Sequence, residues 1–190
     1  MSVDDGDGLE PPAWIKAAQA RWSDAVRPRD IVRAGPGQES VWDYPRPPRL
    51  EREARSIKIE FSGQVIAESP RAMRICETAS PPTYYLPPTD VDLECLVAIE
   101  RGSVCEWKGE AAYFDVLVDN RRAPAAVWSY PNPFRPFGAI GGWFAFMPAA
   151  MDRCWVGDAL VRAQPGGFYG GWITPELTGP FKGEPGTGHW

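Results

Sequence analysis

The sequence holds a single histidine, His189, next to its last residue. A Ser-His-Asp or Cys-His mechanism would have to take its base from a Gly-rich tail, which counts against the commonest nucleophilic hydrolases. The four cysteines (Cys76, Cys95, Cys105 and Cys154) stand 19, 10 and 49 positions apart. None forms a CxxC pair, so a zinc site is unsupported and neither metal nor cofactor is expected. Thiols spaced this way read as free in a reducing compartment. No stretch reaches the ~20 apolar residues of a membrane helix. Positive charge is also scarce: the net charge is -5 and no basic stripe stands out. Neither nucleic acid nor a membrane is an expected partner. The opening MSVDDGDGLE is acidic and lacks the basic-then-apolar order of a secretory signal. The expected location is cytoplasmic.

Aromatic residues, by contrast, are abundant, with nine Trp, six Tyr and eight Phe. Their large, partly polar side chains suit sheets, cores and ligand walls alike. Pro and Gly together make about a fifth of the 190 residues. That is too much for a helical bundle and fits short strands with frequent turns.

Along the chain, Pro11 and Pro12 open a helical pattern in which Trp14, Ile15, Ala18, Trp22, Ala25 and Val26 fall on one face. Pro28 closes it. Trp14 and Trp22 are expected to dock this helix on the domain; carrying a partner is the competing role. Residues 1–39 therefore read as tail, helix and linker, and residues 40–190 as a single β domain. Three segments read as strand, tight turn, strand. They are residues 57–68 turning at Ser62-Gly63, residues 113–127 turning at Asp119-Asn120, and residues 153–163 turning at Gly157-Asp158. Thr89 with Asp92 reads as the cap of a short helix through Leu96, and Thr174-Pro175-Glu176 as another helix start. The expected fold is mainly β: compact antiparallel sheets built from about three β-hairpins, with an N-terminal helix and a Gly/Pro-rich C-terminal clasp.

Several strings carry a family resemblance: RAMRICETASPPTYYLPPTDV, CEWKGEAAYFDV, VWSYPNP, GWFAF, QPGGFYGGW and the later GPFKG. Together, over about residues 40–190, they resemble the family catalogued as domain of unknown function 427, sometimes labelled nucleotidyltransferase-domain-like. The resemblance implies a compact, mostly antiparallel and tent-like β-fold, and no established reaction. Nucleotidyl transfer needs paired carboxylates to hold magnesium against phosphates, normally after a Gly-Ser turn. The nearest candidate is Asp90-Val91-Asp92, which has no Gly-Ser turn before it and sits where a helix start favours acids anyway. The Gly-rich QPGGFYGGW is followed by no Lys-Ser/Thr, so it fails as a phosphate loop and reads as a structural clasp, or as a lid if it crosses a pocket mouth.

The candidate site is a small-ligand pocket walled by Tyr84, Tyr85, Trp107, Tyr113, Trp128 and Tyr130, with Glu77, Lys108 and Asp115 as polar groups and Cys105 beside them. In an extended strand Cys105 and Trp107 share a face, as do Tyr113 and Asp115, opposite Phe114 and Val116. Apolar walls with a few polar groups suit a small, flat or cationic ligand. Two alternatives stand beside this one. The same rings can pack as core, or the pocket can belong to an enzyme acting through Cys105 or through Glu77 with Lys108. No catalytic residue is assigned.

Overall fold

A computed structural model describes residues 8–22, 27–188 and 190, with the side chain of Trp22 left out. The expectations for Ala25, Val26 and His189 lie outside the described residues. The chain is mainly β, as its turn-rich, aromatic composition requires, with several antiparallel sheets and an N-terminal helix. No barrel closes among the described residues, and no helix there is long and apolar enough to cross a membrane.

Three sheets carry the structure. The first pairs Arg49–Arg52 with Met73–Cys76 and Thr83–Tyr85. The second runs Ala159–Leu160, Arg153–Val156, Ile57–Phe61, Gln64–Ser69. The third runs Phe144–Phe146, Arg121–Ser129, Gly109–Val118, Leu96–Cys105.

The three expected hairpins are present, each closed by a two-residue turn. Ser62 and Gly63 both take left-handed φ values, 53° and 76°, as a tight hairpin turn demands. Asp119 at 51° and Gly157 at 58° lead the other two turns. The third hairpin is shorter than expected: after Leu160 the chain leaves the sheet, and Arg162–Ala163 pairs instead with Trp172–Ile173.

The two capped helices do not form. Asp92 does cap, its carboxylate accepting from the Glu94 N–H at 3.1 Å, but only for the single turn Leu93–Cys95. The chain then enters Leu96–Cys105, which forms the longest antiparallel pair of the molecule with Gly109–Val118. Ladder pairing outweighs a weak local helix signal. After Thr174 one turn closes at Leu177, and Leu177–Thr178 pairs in parallel with Glu39–Ser40.

The helix spans Ala13–Trp22. It docks through Ile15, 1% exposed, whereas Trp14 is 63% exposed. Neighbouring helical residues are about 100° apart around the axis, so burying Ile15 turns Trp14 outward.

The second and third sheets enclose the main core. Ile57, Ile59, Phe61 and Cys154 meet Val116, Val118, Val127 and Phe146, and Tyr84 and Trp172 complete it. A second cluster lies between the first and third sheets. It is made by Met73, Ile75 and Tyr85 from one side and Ala111, Tyr130 and Ala145 from the other. Unlike the main core, this cluster borders a cleft.

Candidate functional site

The cleft has a volume of about 450 Å³. The first sheet and the segment after it supply Glu77 and Tyr85 to its wall. The hairpin end of the third sheet supplies Cys105, Trp107 and Lys108, and the two inner strands of that sheet supply Tyr113, Trp128 and Tyr130. Eight of the ten candidate residues thus meet around one hollow. Tyr113 arrives there by strand parity: Phe114, Val116 and Val118 face the main core, so Tyr113 faces the other way, directly across the ladder from Trp128.

The remaining two candidates lie elsewhere, each for a clear reason. Tyr84 precedes Tyr85 on a strand and points to the opposite face, where its ring packs at 5.1 Å from Trp172. Asp115 keeps the strand parity of Tyr113, but the neighbouring strand bulges here, with Ala125 at a left-handed φ of 47°. The carboxylate holds this bulge together. Oδ1 accepts from the Ala125 N–H at 2.6 Å and Oδ2 from Arg122 Nε at 2.5 Å. Pro124, which cannot donate to a ladder, was the sequence signal of the bulge.

The CEWKG segment is a turn and not an extended strand. Cys105 pairs with Gly109 across the hairpin, and Glu106, Trp107 and Lys108 form the three-residue loop. Gly109 takes φ 95°, open to glycine at little cost. This geometry swings Lys108 inward beside Cys105, against the strand-parity expectation that they lie on opposite faces. Lys108 is 9% exposed, and its ammonium lies 5.7 Å from the centre of the Tyr130 ring. Among the described residues it has no carboxylate in ion-pair contact. Burial works against its charge. The Cys105 thiol, the Tyr130 and Tyr85 phenols and the Glu77 carboxylate outweigh burial and raise its pKa well above the ordinary value. Burial in turn pushes the Tyr85 hydroxyl up to about 12, with Lys108 acting in the opposite direction. Tyr85 also accepts a hydrogen bond from Trp128 Nε1 at 3.2 Å.

Glu77 is one of two acids that line the cleft, with Glu106, and it is already engaged. Arg46, whose side chain is almost fully buried, donates from Nε to Glu77 Oε1 at 3.2 Å and from Nη2 to the Thr78 carbonyl at 3.1 Å.

The ten candidate residues did not include the roof. Gln164, Phe168, Tyr169, Gly170 and Lys182 also line the cleft. The buried Gln164 closes residues 164–171 into a loop: its N–H donates to the Gly171 carbonyl at 3.0 Å, and its Oε1 accepts from the Gly171 N–H at 3.1 Å. Its Nε2 ties the loop to the Lys182 carbonyl at 2.8 Å. A Cβ on Gly170 would lie 2.2 Å from the Trp128 ring, so glycine lets the loop rest on that indole. The clasp expected of QPGGFYGGW therefore also covers an edge of the cleft, with Phe168 74% exposed.

Asp90 and Asp92 stand apart from the cleft lining. Hydrogen bonds from Arg71, Ser69 and Thr89 hold the Asp90 pKa down at about 2, and Asp92 is the turn cap described above. A second groove, of about 390 Å³, runs beside Leu9, Trp14 and Phe134. Its ionisable lining groups among the described residues are the exposed Glu10 and Glu110.

A family model described as a domain of unknown function (DUF427) matches residues 49–157. The match takes in the first and third sheets, the second except its edge strand Ala159–Leu160, the CEWKG turn and the Trp128 strand, and stops before the Gly-rich loop. No curated protein matches the chain.

Proposed function

We propose, for a chain that belongs to the DUF427 family and so carries no reaction by descent, that the cleft between the first and third sheets is a small-molecule binding site. One observation carries this reading: Tyr85, Trp107, Tyr113, Trp128 and Tyr130, partly packed on one another, together line an open hollow of about 450 Å³. That volume falls in the range of small-ligand sites, ~300–1,000 Å³, and apolar walls with a few polar groups are their usual make-up. A thermal-shift screen against nucleotides, nucleosides, amines and small acids tests it. At least one class is expected to raise the melting temperature, because a ligand that binds only the folded state stabilises it. Tyr113→Ala is expected to remove that rise. A panel that leaves the wild type unshifted counts against the site.

A second reading, an enzyme acting on a small molecule, rests on Cys105 and Lys108 lining the same cleft. An ammonium beside a thiol favours the thiolate, the nucleophilic form. Glu77 fits a catalytic role less well, since Arg46 already occupies it. Incubation with activated esters, followed by mass analysis of the intact chain, separates the readings. A Cys105-dependent adduct that turns over favours the enzyme, and an unmodified chain favours binding alone. Nucleotidyl transfer gains no support from Asp90 or Asp92, both committed to local structure.

A further inference from the structure

We propose that Lys108 is the counter-ion for a carboxylate, so that the cleft takes a small organic monoanion with a flat, apolar body. This inference rests on the cleft being a ligand site and names the class of ligand.

A lysine as buried as Lys108 normally has a charged partner. Lys108 has instead the face of Tyr130 at 5.7 Å, with Cys105 and Tyr85 around it and a Glu77 carboxylate that acts on it but is bound by Arg46. A ring face offsets only part of the cost of desolvating an ammonium, ~0.5–2 kcal/mol. The next residue back on the same turn points the same way. Trp107 lines the cleft, is 3% exposed, and its indole N–H is buried with no hydrogen-bond partner. Among the described residues, two consecutive ones thus bring to one wall a buried indole N–H without an acceptor and an ammonium without a carboxylate in contact. Buried polar groups are rarely left so, and an acceptor-only group is the chemistry that would satisfy both.

Charge counting selects one negative charge. The lining holds Lys108, Lys182, Glu77 and Glu106. Arg46 answers Glu77. The Lys182 ammonium already donates to the Trp190 carbonyl, and Glu106 lies within its field. With Arg46 engaged by Glu77 and Lys182 by Trp190, Lys108 is the lining cation that, among the described residues, has no carboxylate in contact. A carboxylate matches it. A phosphate monoester would bring a second negative charge next to Glu77 and Glu106. A cationic ligand would meet the ammonium directly, so the structure turns the ligand class away from the cations that an aromatic wall alone would suggest. The apolar body is set by the walls: Tyr85 and Trp128 pack edge to face at 6.5 Å, and Tyr113 lies beside Trp128 on the same sheet face, so the wall is largely aromatic.

The test holds the ring constant and changes only its charged end. Indole and naphthalene are each presented as the acetate, the acetamide and the ethylamine, together with naphthyl phosphate, and binding is measured by calorimetry. The acetates are expected to bind at least about tenfold more tightly than the matching amides and amines. Lys108→Met is expected to lower acetate binding to the level of the amide, with amide binding unchanged. Equal or tighter binding of the amide, the amine or the phosphate overturns the proposal and leaves the cleft a ligand site of another class. So does an acetate preference that survives Lys108→Met. Silence from every ring compound removes the cleft as a ligand site altogether. If Lys108→Met does not fold, the wild-type ratios still decide, and the lysine side-chain nitrogen resonance of Lys108 must move with the acetate and stay with the acetamide.

Discussion

Tyr84 and Tyr85 are neighbours on one short strand, and they sit in two different kinds of interior. Tyr84 faces the main core, where the second and third sheets close on each other and Trp172 packs against it with no exposure. Tyr85 faces the smaller cluster, where Cys105, Tyr113 and Trp128 are only partly covered and the hollow begins. In the first place a ring is used for its area. In the second, a ring just as buried lies next to side chains that border the hollow. The residue types are the same, so the difference comes from what lies opposite: a full sheet in one case, and a hairpin turn with a glycine-rich loop in the other.

The comparison breaks most visibly through the sealed side. Trp172→Ala should cost about 3–5 kcal/mol in urea denaturation. It empties the centre of the core and strands the Phe146 carbonyl, which now accepts the indole N–H at 3.1 Å. Trp128→Ala should cost less, about 1–3 kcal/mol, because the ring is half-buried and part of its surface already meets the cleft. It should nonetheless abolish any ligand-induced rise in melting temperature. Equal costs for the two substitutions would mean that Trp128 is core and the hollow an accident of packing.

The sealed side was the more legible from sequence. Alternation in Ile57, Ile59 and Phe61, and two-residue turns such as Ser62-Gly63, follow from local backbone rules, and those hairpins form with the expected turns. The cleft depends on contacts between distant segments, where local rules give only parity. Parity placed Tyr113 correctly opposite Phe114. Applied to adjacent residues, it should have separated Tyr84 from Tyr85. It did not bring Asp115 to the cleft, because the bulge at Pro124 and Ala125 of the next strand takes up its carboxylate, and it did not hold for Lys108 because CEWKG bends into a turn. The roof was hidden for another reason. Gln164 closes its loop through hydrogen bonds to Gly171 and Lys182, and no periodic pattern announces a loop held by one side chain.

A smaller effect, and one of pH, comes from buried groups on both sides of the division. Burial raises the Cys95 thiol to about 11, and burial, with Glu51 nearby, raises Cys76 to about 12 against the pull of Arg74. Tyr85 stands at about 12. Each folded value lies above the ordinary one, 9.0 for the thiols and 10.0 for the phenol. The stability these groups confer is therefore complete below pH 9 and is lost as pH climbs toward 11–12, because the unfolded chain sheds these protons first. Urea midpoints should be level between about pH 7 and 8.5 and fall steadily above pH 9. A midpoint that stays flat up to pH 11 would show that these groups are better solvated than their positions imply.

The finest probe leaves stability almost untouched. Cys76, Cys95 and Cys154 are sealed, with exposures of 0%, 4% and 2%, whereas Cys105 is partly open on the cleft wall. Thiol reactivity requires both the thiolate and access to it, and burial suppresses both. At pH 8 an aromatic disulfide reagent should therefore label a single thiol of the native protein quickly. Cys105→Ser should remove that fast phase while shifting the urea midpoint by less than about 0.5 kcal/mol. An acetate that fills the cleft should slow the labelling, and its uncharged amide should slow it far less at the same concentration. Rapid labelling of two or more thiols would show that the main core opens on the same timescale as the cleft, and the division between the two faces of the Tyr84–Tyr85 strand would then be one of degree.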